Sequence, residues 1–570
     1  MKYYTLNRRF RQTKVMLAII LALSLFFYLR SINQEDTNAE QVDLFSSDLG
    51  DVVPEAPKNK HHHWFSSKCP DYLEYSEERH EPFSEGPLKL PYMRPPEECR
   101  TFKSVAVERT LEALEPRFKD PDLFRLLENC LPNTLDTTIL WTDFEDANDL
   151  RSFIVTGDIH AEWLRDAARQ LSVYQPFVKH DKQLQLLMKG AINQQALFIS
   201  RQPYCNAFQP PKESKVHRKP SAVDFVSPHP NYYVSFECKW ELDSLASFLT
   251  LSNEYYENTG DSSFVNEVWL RAFEVILIVL QKQSSPTFNP DTGTLLSFPY
   301  KFQRETRIGS ETLPLAGTGN PINGGTGLVR SAFRPSDDST IFQFLIPANA
   351  HMAVELSKIS YLLKSKQDST GNIAMFVDAA HQFSESIKVG IKNNAIFDHP
   401  KHGKIYAYEI DGYGSALFMD DANIPSLLSL PELGFLEVDD PIYNNTRQMI
   451  LSKSNPYFLQ SRFFEGVGGP HIGLQNAWPM SLLMAIRTTD DEQIITKYLE
   501  LVKSTTAGLG LMHESINVYI PKGGAYTRPW FSWCNSEFGK TILDLASRKP
   551  HLIFKEDYVE SVNIDSLLSK

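Results

Sequence analysis

ELDSLASFLTLSNEYYEN (residues 241–258) and FVNEVWLRAFEVILIVLQKQ (264–283) carry apolar residues every three or four positions, and only a short TGDSS linker parts them. That spacing lines the apolar side chains along one face of a helix. Two such helices joined by a Gly-containing turn must bury both stripes against neighbours. Outward from this pair the same period recurs on the N-terminal side in VAVERTLEALE (105–115), DLFRLLENCL (122–131) and QLQLLMKGAINQQALFI (183–199). On the C-terminal side it recurs in FLIPANAHMAVELSKISYLLKS (344–365), IAMFVDAAHQFSESIKVGIKN (373–393), AWPMSLLMAIRTT (477–489), DEQIITKYLELVKSTTA (491–507) and NSEFGKTILDLAS (535–547). Successive helix pairs with few alternating strands predict an all-α fold, and a closed double ring of helices buries every stripe without ends. No short fixed-period repeat marks a solenoid.

Composition bounds the function. Apolar residues are 42% and charged residues 22% of the 570, the balance of a folded chain rather than a disordered one. A net charge of −13, with no basic stripe beyond the extreme N-terminus, argues against a nucleic-acid partner. Residues 15–29 (VMLAIILALSLFFYL) are an unbroken apolar run with Lys2, Arg8, Arg9, Arg11 and Lys14 before it. The positive-inside rule then predicts a cytosolic tail at 1–14, a transmembrane signal anchor at 15–30 and a body across the membrane, in the endoplasmic reticulum or Golgi. Polar, aperiodic residues 31–98 read as a lumenal stem that includes His61, His62 and His63, and residues 99–570 as the catalytic body. Six cysteines permit disulfides in such a compartment; at least one is expected among Cys69, Cys99, Cys130, Cys205 and Cys238, with Cys534 free. Asn444-Asn445-Thr446 is a glycosylation sequon on Asn444. No Cys/His spacing suggests a metal, and no cofactor is called for.

The chemistry lies in loops at the predicted helix ends. TGDIHAEWLRD (156–166) supplies Asp158, His160, Glu162, Trp163, Arg165 and Asp166. FRPSDDST (333–340) supplies Arg334 and the adjacent carboxylates Asp337 and Asp338. DGYGSALFMDDAN (411–423) repeats that theme in Asp420, Asp421 and Asn423. GVGGPH (466–471) adds His471, MHES (512–515) adds His513 and Glu514, and TRPWFSW (527–533) adds Trp533. Any one of these clusters could be no more than a helix cap, because an Asp at a helix N-terminus is stabilised in any case. Five or six on one helical scaffold supply what sugar hydroxyls need: carboxylates, amides and aromatic faces. Glycoside cleavage fits this inventory, since its oxocarbenium-like transition state needs one carboxylic acid and one carboxylate. No nucleophile elbow, Walker loop or H-E-x-x-H is present.

At these clusters the chain resembles glycoside hydrolase family 125, the exo-α-1,6-mannosidases, and in particular its fungal membrane-anchored members, some of them meiotically up-regulated gene products. The likeness spans about residues 100–547, through GDIHAEWLRDAARQL, SAFRPSDDSTIFQFLIPANA, YEIDGYGSALFMDDANIPSLLSLPELGF, EGVGGPHIG, GLMHES and WFSWCNSEFG. It implies an (α/α)6 barrel and metal-independent, inverting release of non-reducing-end mannose from a mannose-containing glycan. It also implies Asp337 as general acid, with Asp338 the alternative, and Glu514 as general base. Substrate contacts are then expected from Asp158, His160, Trp163, Arg165, Asp166, Arg334, Asp338, Asp420, Asp421, Asn423, His471, His513 and Trp533. As an acid Asp337 should have a raised pKa, from burial and from Asp338. The anchor and stem are absent from bacterial members, and Cys534 stands where a small residue is expected. The competing readings are a catalytically silent sugar-binding protein, which has no need of an acid and base pair, and a calcium-dependent α-1,2-mannosidase.

Overall fold

The computed structural model describes residues 69–366 and 372–568. Among them are twelve helices of nine residues or more, here numbered in chain order. They are α1 Val105–Leu114, α2 Pro121–Cys130, α3 Leu164–Ser172, α4 Lys182–Arg201, α5 Leu242–Thr259, α6 Glu267–Gln283, α7 Ile346–Lys364, α8 Asn372–Asn394, α9 Pro441–Ile450, α10 Pro479–Arg487, α11 Glu492–Ser504 and α12 Ser532–Arg548.

Burial and capping sort these helices into two sets. Every residue of α3 is buried, as are Leu242 to Asn253 of α5, Ile346 to Leu356 of α7, Pro479 to Ile486 of α10 and Ser532 to Gly539 of α12. A helix buried all round belongs to a core. None of these five inner helices has a side-chain N-cap: the capping positions are Trp163, Glu241, Leu345, Trp478 and Phe531. The outer helices follow ordinary rules. Ser104, Asp120, Asp181, Asn266, Asp440 and Asp491 each accept a backbone N–H at the start of α1, α2, α4, α6, α9 and α11. α3 packs on α5 and α12, α5 on α7, and α10 on α12, while α8 backs α7 and α11 backs α10. Between α7 and α10 the stretch 424–433, buried from Ile424 to Leu430, is built of turns and bends, and its Glu432 pairs with Arg169 of α3 and Arg487 of α10.

The expected all-α class is corrected by the strands. Among the described residues seven antiparallel sheets of two or three strands fill the inter-helix connections, so the class is mixed. Three of these sheets sit at the starts of inner helices. The first joins β1 (Glu162–Trp163), β2 (Ala207–Phe208) and β3 (Ser235–Glu237) ahead of α3 and α5. The second joins β4 (Phe344–Leu345), β5 (Glu409–Ile410) and β6 (Ala416–Leu417) ahead of α7. The third joins β7 (Asn476–Ala477), β8 (Ser515–Asn517) and β9 (Tyr526–Thr527) ahead of α10 and α12. The physical reason is backbone satisfaction: long connections buried at helix ends must pair their N–H and C=O groups, and two-residue ladders do so. Strands this short leave no readable period in the sequence.

The expected anchor at 15–30 lies outside the described residues, and no helix among those described is long and apolar enough to cross a membrane. Residues 69–98, assigned to the stem, fold against the body here. Arg94 is buried and pairs with Asp136 at 2.6 Å, and the Tyr72 ring meets Trp530 edge-on at 4.9 Å. Cys69 bonds to Cys99 and Cys205 to Cys238, leaving Cys130 and Cys534 as buried thiols. Asn444 is exposed on α9, while the Thr446 hydroxyl of its sequon is buried and accepts the Tyr406 N–H at 3.0 Å.

Candidate active site

The loops leading into the inner helices converge on one pocket. Asp158, Trp163, Arg165, Asp166, Asp337, Asn423, His471, Glu514 and Trp533 line it, with Trp478, Arg528 and Phe531 completing the wall. The helix starts aim partial positive charge at this end of the core, which suits a pocket rich in carboxylates.

Asp337 is held by a tight turn. The Asp337 N–H donates to the Arg334 carbonyl at 2.9 Å, the Arg334 N–H donates to the Asp338 carbonyl at 2.8 Å, and Phe333 bridges to Ser339. Asp337 takes a left-handed φ of +66°. Asp tolerates that region better than most residues, and strain of this kind concentrates at functional sites. Its Oδ1 accepts from the Asn206 amide at 3.4 Å and lies 3.7 Å from Arg165. Burial pushes the Asp337 carboxyl up, but Lys239, Arg165, a hydrogen bond from Glu241 and His471 outweigh it and hold the group well below the usual carboxylate range. The expectation of a raised pKa at Asp337 is therefore corrected: the nearby cations and the hydrogen bond outweigh both burial and the neighbouring carboxyls, and Asp338 turns inward. Glu241 moves the opposite way. Burial drives its carboxyl well above the usual range, with Asp337 and Asp243 reinforcing the shift against Arg165.

Glu514 enters from a second loop. Arg528 places its Nε 3.3 Å from Glu514 Oε1 and also binds Asp158. The turn is set by His513, whose ring stacks on Tyr526 at 3.9 Å and whose Nδ1–H donates to the Arg528 carbonyl at 3.1 Å. Burial holds His513 at about 4, so it is a neutral donor. The Asp158 loop is fitted at Gly157, where φ is +149° and a Cβ would sit 3.2 Å from the Trp530 ring. Arg165 stacks over Trp533 at 5.7 Å and reaches Glu241 at 2.7 Å. Burial pushes Asp166 up to about 7 despite Arg165 at 3.4 Å. The indole N–H groups of Trp163 and Trp478 are buried and have no protein partner among the described residues.

The remaining predicted contacts fall outside the lining. Asp420 is a cap: its carboxylate accepts the Leu427 and Leu428 N–H groups at 2.9 and 3.0 Å. Asp421 turns to Asn423 at 2.9 Å, and Arg334 is buried against Glu409 at 2.6 Å. Asp338 lies behind Asp337 and faces His471 at 3.8 Å. His160 belongs to the Asp158 loop without lining the pocket. Trp478, Arg528 and Phe531 were missed although each sits at or just before the start of an inner helix, and that position was the available signal. Among the described residues no group of three or more His, Cys, Asp and Glu is arranged to hold a metal ion.

His471 gives a pH-dependent expectation. Its side chain is 35% exposed, and partial desolvation lowers its pKa, but a hydrogen bond to Asp338 and the charges of Asp338, Asp337 and Glu514 raise it from 6.5 to about 9. A histidine whose folded pKa is raised stabilises the fold fully below 6.5, and that contribution fades as pH climbs through about 9. His471→Gln should therefore lower the thermal unfolding midpoint at about pH 6, with the gap to the native protein closing in alkaline buffer. An equal gap at both pH values would remove the charge from the account.

Glycosidic cleavage asks one group to protonate the leaving oxygen and another to take a proton from water. Asp337 and Glu514 come to one pocket from separate loops, and its lining includes the aromatic side chains that sugar sites use. The fold and site thus define a glycoside hydrolase. Residues 120–543 match the family model described as metal-independent alpha-mannosidase (GH125), and the chain belongs to that family. It is 52% identical over 489 residues to the meiotically up-regulated gene 157 protein of Schizosaccharomyces pombe, covering 85% of this chain and 94% of that protein. A metal-independent alpha mannosidase of Streptococcus pneumoniae, solved in a non-productive complex with alpha-1,6-mannobiose, superposes with a TM-score of 0.69 and 33% identity. The match covers 78% of this chain and 99% of that one.

Proposed function

We propose that this α-mannosidase is an inverting, exo-acting enzyme that removes α-1,6-linked mannose, with Asp337 as general acid and Glu514 as general base. The observation that carries the reading is the meeting of these two carboxyls, from loops 177 residues apart (514 − 337), in one aromatic-walled pocket. In this mechanism Asp337 donates a proton to the glycosidic oxygen as the C–O bond breaks. Glu514 takes a proton from the water that attacks the opposite face. Arg528 places a permanent cation beside Glu514, and Arg165 frames the Asp337 side. The α-1,6 linkage draws support from the mannobiose bound by the bacterial relative.

Incubation with α-1,2-, α-1,3- and α-1,6-linked mannobiose tests the linkage. The α-1,6 isomer should be cleaved roughly tenfold or more faster than the others, as a correctly paired site discriminates, and EDTA should leave the rate unchanged. Equal rates on all three sink the linkage assignment, and loss in EDTA points to calcium-dependent chemistry. The two disulfides support a further proposal, that the enzyme works in an oxidising secretory compartment. Mass spectrometry of unreduced peptides from the native source checks it, and six free thiols would contradict it.

A further inference from the structure

Beside Asp337, and outside the pocket lining, lies a second carboxyl that the mechanism above does not use. Glu241, the first residue before α5, is 1% exposed. One amide and one guanidinium span both acids. Asn206 Nδ2 lies 3.2 Å from Glu241 Oε1 and 3.4 Å from Asp337 Oδ1, and it also donates to Glu237 Oε2 at 3.1 Å. Arg165 is 2.7 Å from Glu241 Oε2 and 3.7 Å from Asp337 Oδ1. The Asn206 amide cannot turn away, because its oxygen accepts the Lys239 N–H at 3.0 Å. The Cys205–Cys238 disulfide ties together the two segments that carry Asn206 and Lys239.

The two carboxyls share the Asn206 amide and the Arg165 guanidinium, and like charges held so close disfavour double ionisation, so at rest the pair keeps one proton. The surrounding charges decide where it rests. The charges of Lys239, which pairs with Glu237 at 3.4 Å, and of His471 favour the Asp337 anion. Asp243 lies beside Arg165 at 3.3 Å, diluting the cation that faces Glu241, and Glu237 is occupied by Arg304 at 2.7 Å. Asp166 adds a further carboxyl near Asp337. The cations on the Asp337 side favour the proton on Glu241 in the open pocket, whereas cleavage needs it on Asp337.

We propose that Glu241 is the positioning residue and proton reserve for Asp337: when a glycoside fills the pocket, the Glu241 O–H bond breaks, an Asp337 O–H bond forms, and Asp337 passes that proton to the leaving oxygen. Occupation by a sugar strips water from Asp337 and penalises its charged form, which drives the transfer. Arg165, Ser244 and Asn206 hold the Glu241 carboxylate that remains. The proton that Glu514 takes from the attacking water leaves to solvent, and one proton returns from solvent to the pair, so each turnover balances.

The inference rests on Asp337 being the acid, and leaving-group dependence separates the two claims. Mannobiose needs a proton on its leaving oxygen, whereas α-mannosyl fluoride does not. Glu241→Gln keeps the size and neutrality of the protonated acid but cannot give up a proton. It should cut kcat on α-1,6-mannobiose by about 10²-fold while turnover of α-mannosyl fluoride stays within about twofold. Asn206→Ser, which removes the shared amide and leaves both carboxyls, should give the same split to a smaller degree and serves if Glu241→Gln does not fold. Equal losses on both substrates would mean a merely structural role and would overturn the proposal. If Asp337→Asn shows the split and the folded variants do not, only this inference falls. If Asp337→Asn shows none, the assignment of the acid falls with it.

Discussion

Glu514→Gln lowers kcat on an α-mannoside by about 10²–10⁴-fold, the usual worth of a positioned base, with KM nearly unchanged. The amide fills the same volume but cannot take a proton from the attacking water. Arg528 keeps its second partner Asp158, so the loop holds its shape and the pocket still binds sugar. The loss should be recovered in part by azide, an anion that attacks the anomeric carbon without a base, and the product should be β-mannosyl azide. Steady-state kinetics with and without azide measure this. A variant that keeps full activity removes Glu514 from the role, and one that loses activity without azide rescue marks a residue needed for binding or folding.

Asp337→Asn has an effect of similar size on mannobiose, about 10²–10⁴-fold in kcat, and a smaller one on α-mannosyl fluoride. The amide occupies the same left-handed turn, because Asn tolerates positive φ as Asp does. What disappears is the proton needed by a poor leaving group. The comparison also tests Asp166, a pocket carboxyl that burial holds at about 7 and that could itself donate a proton. If Asp166 is the donor, Asp166→Asn shows the leaving-group dependence and Asp337→Asn does not.

The helices and the two carboxylate loops were legible in the sequence for a simple reason. Both rest on short-range patterns, a period of three to four residues in one case and dense polar runs before helices in the other. Asp420 and Asp421 show the limit of that reading. Asp-Asp before a buried stretch looks the same at 337–338 and at 420–421, yet one Asp of the first pair lines the pocket and Asp420 caps a turn. Only three-dimensional packing separates them. Glu241 was hidden differently. It appears in the sequence as the first letter of an amphipathic helix, and its chemistry comes from Asn206, 35 residues earlier (241 − 206), and Arg165, 76 earlier (241 − 165), which a disulfide and two short strands bring to it. The two-residue strands that make the fold mixed rather than all-α carry no period, so they fall below what alternation can reveal.

In the proposed mechanism Asp337 and Glu514 act on one sugar as acid and base across a direct displacement by water. NMR of the first-formed product from α-1,6-mannobiose, recorded before mutarotation, tests it most directly. β-Mannose should be the initial signal, decaying to the equilibrium mixture. An initial α-mannose signal would contradict that mechanism, because retention requires a covalent intermediate and a different use of these two carboxylates.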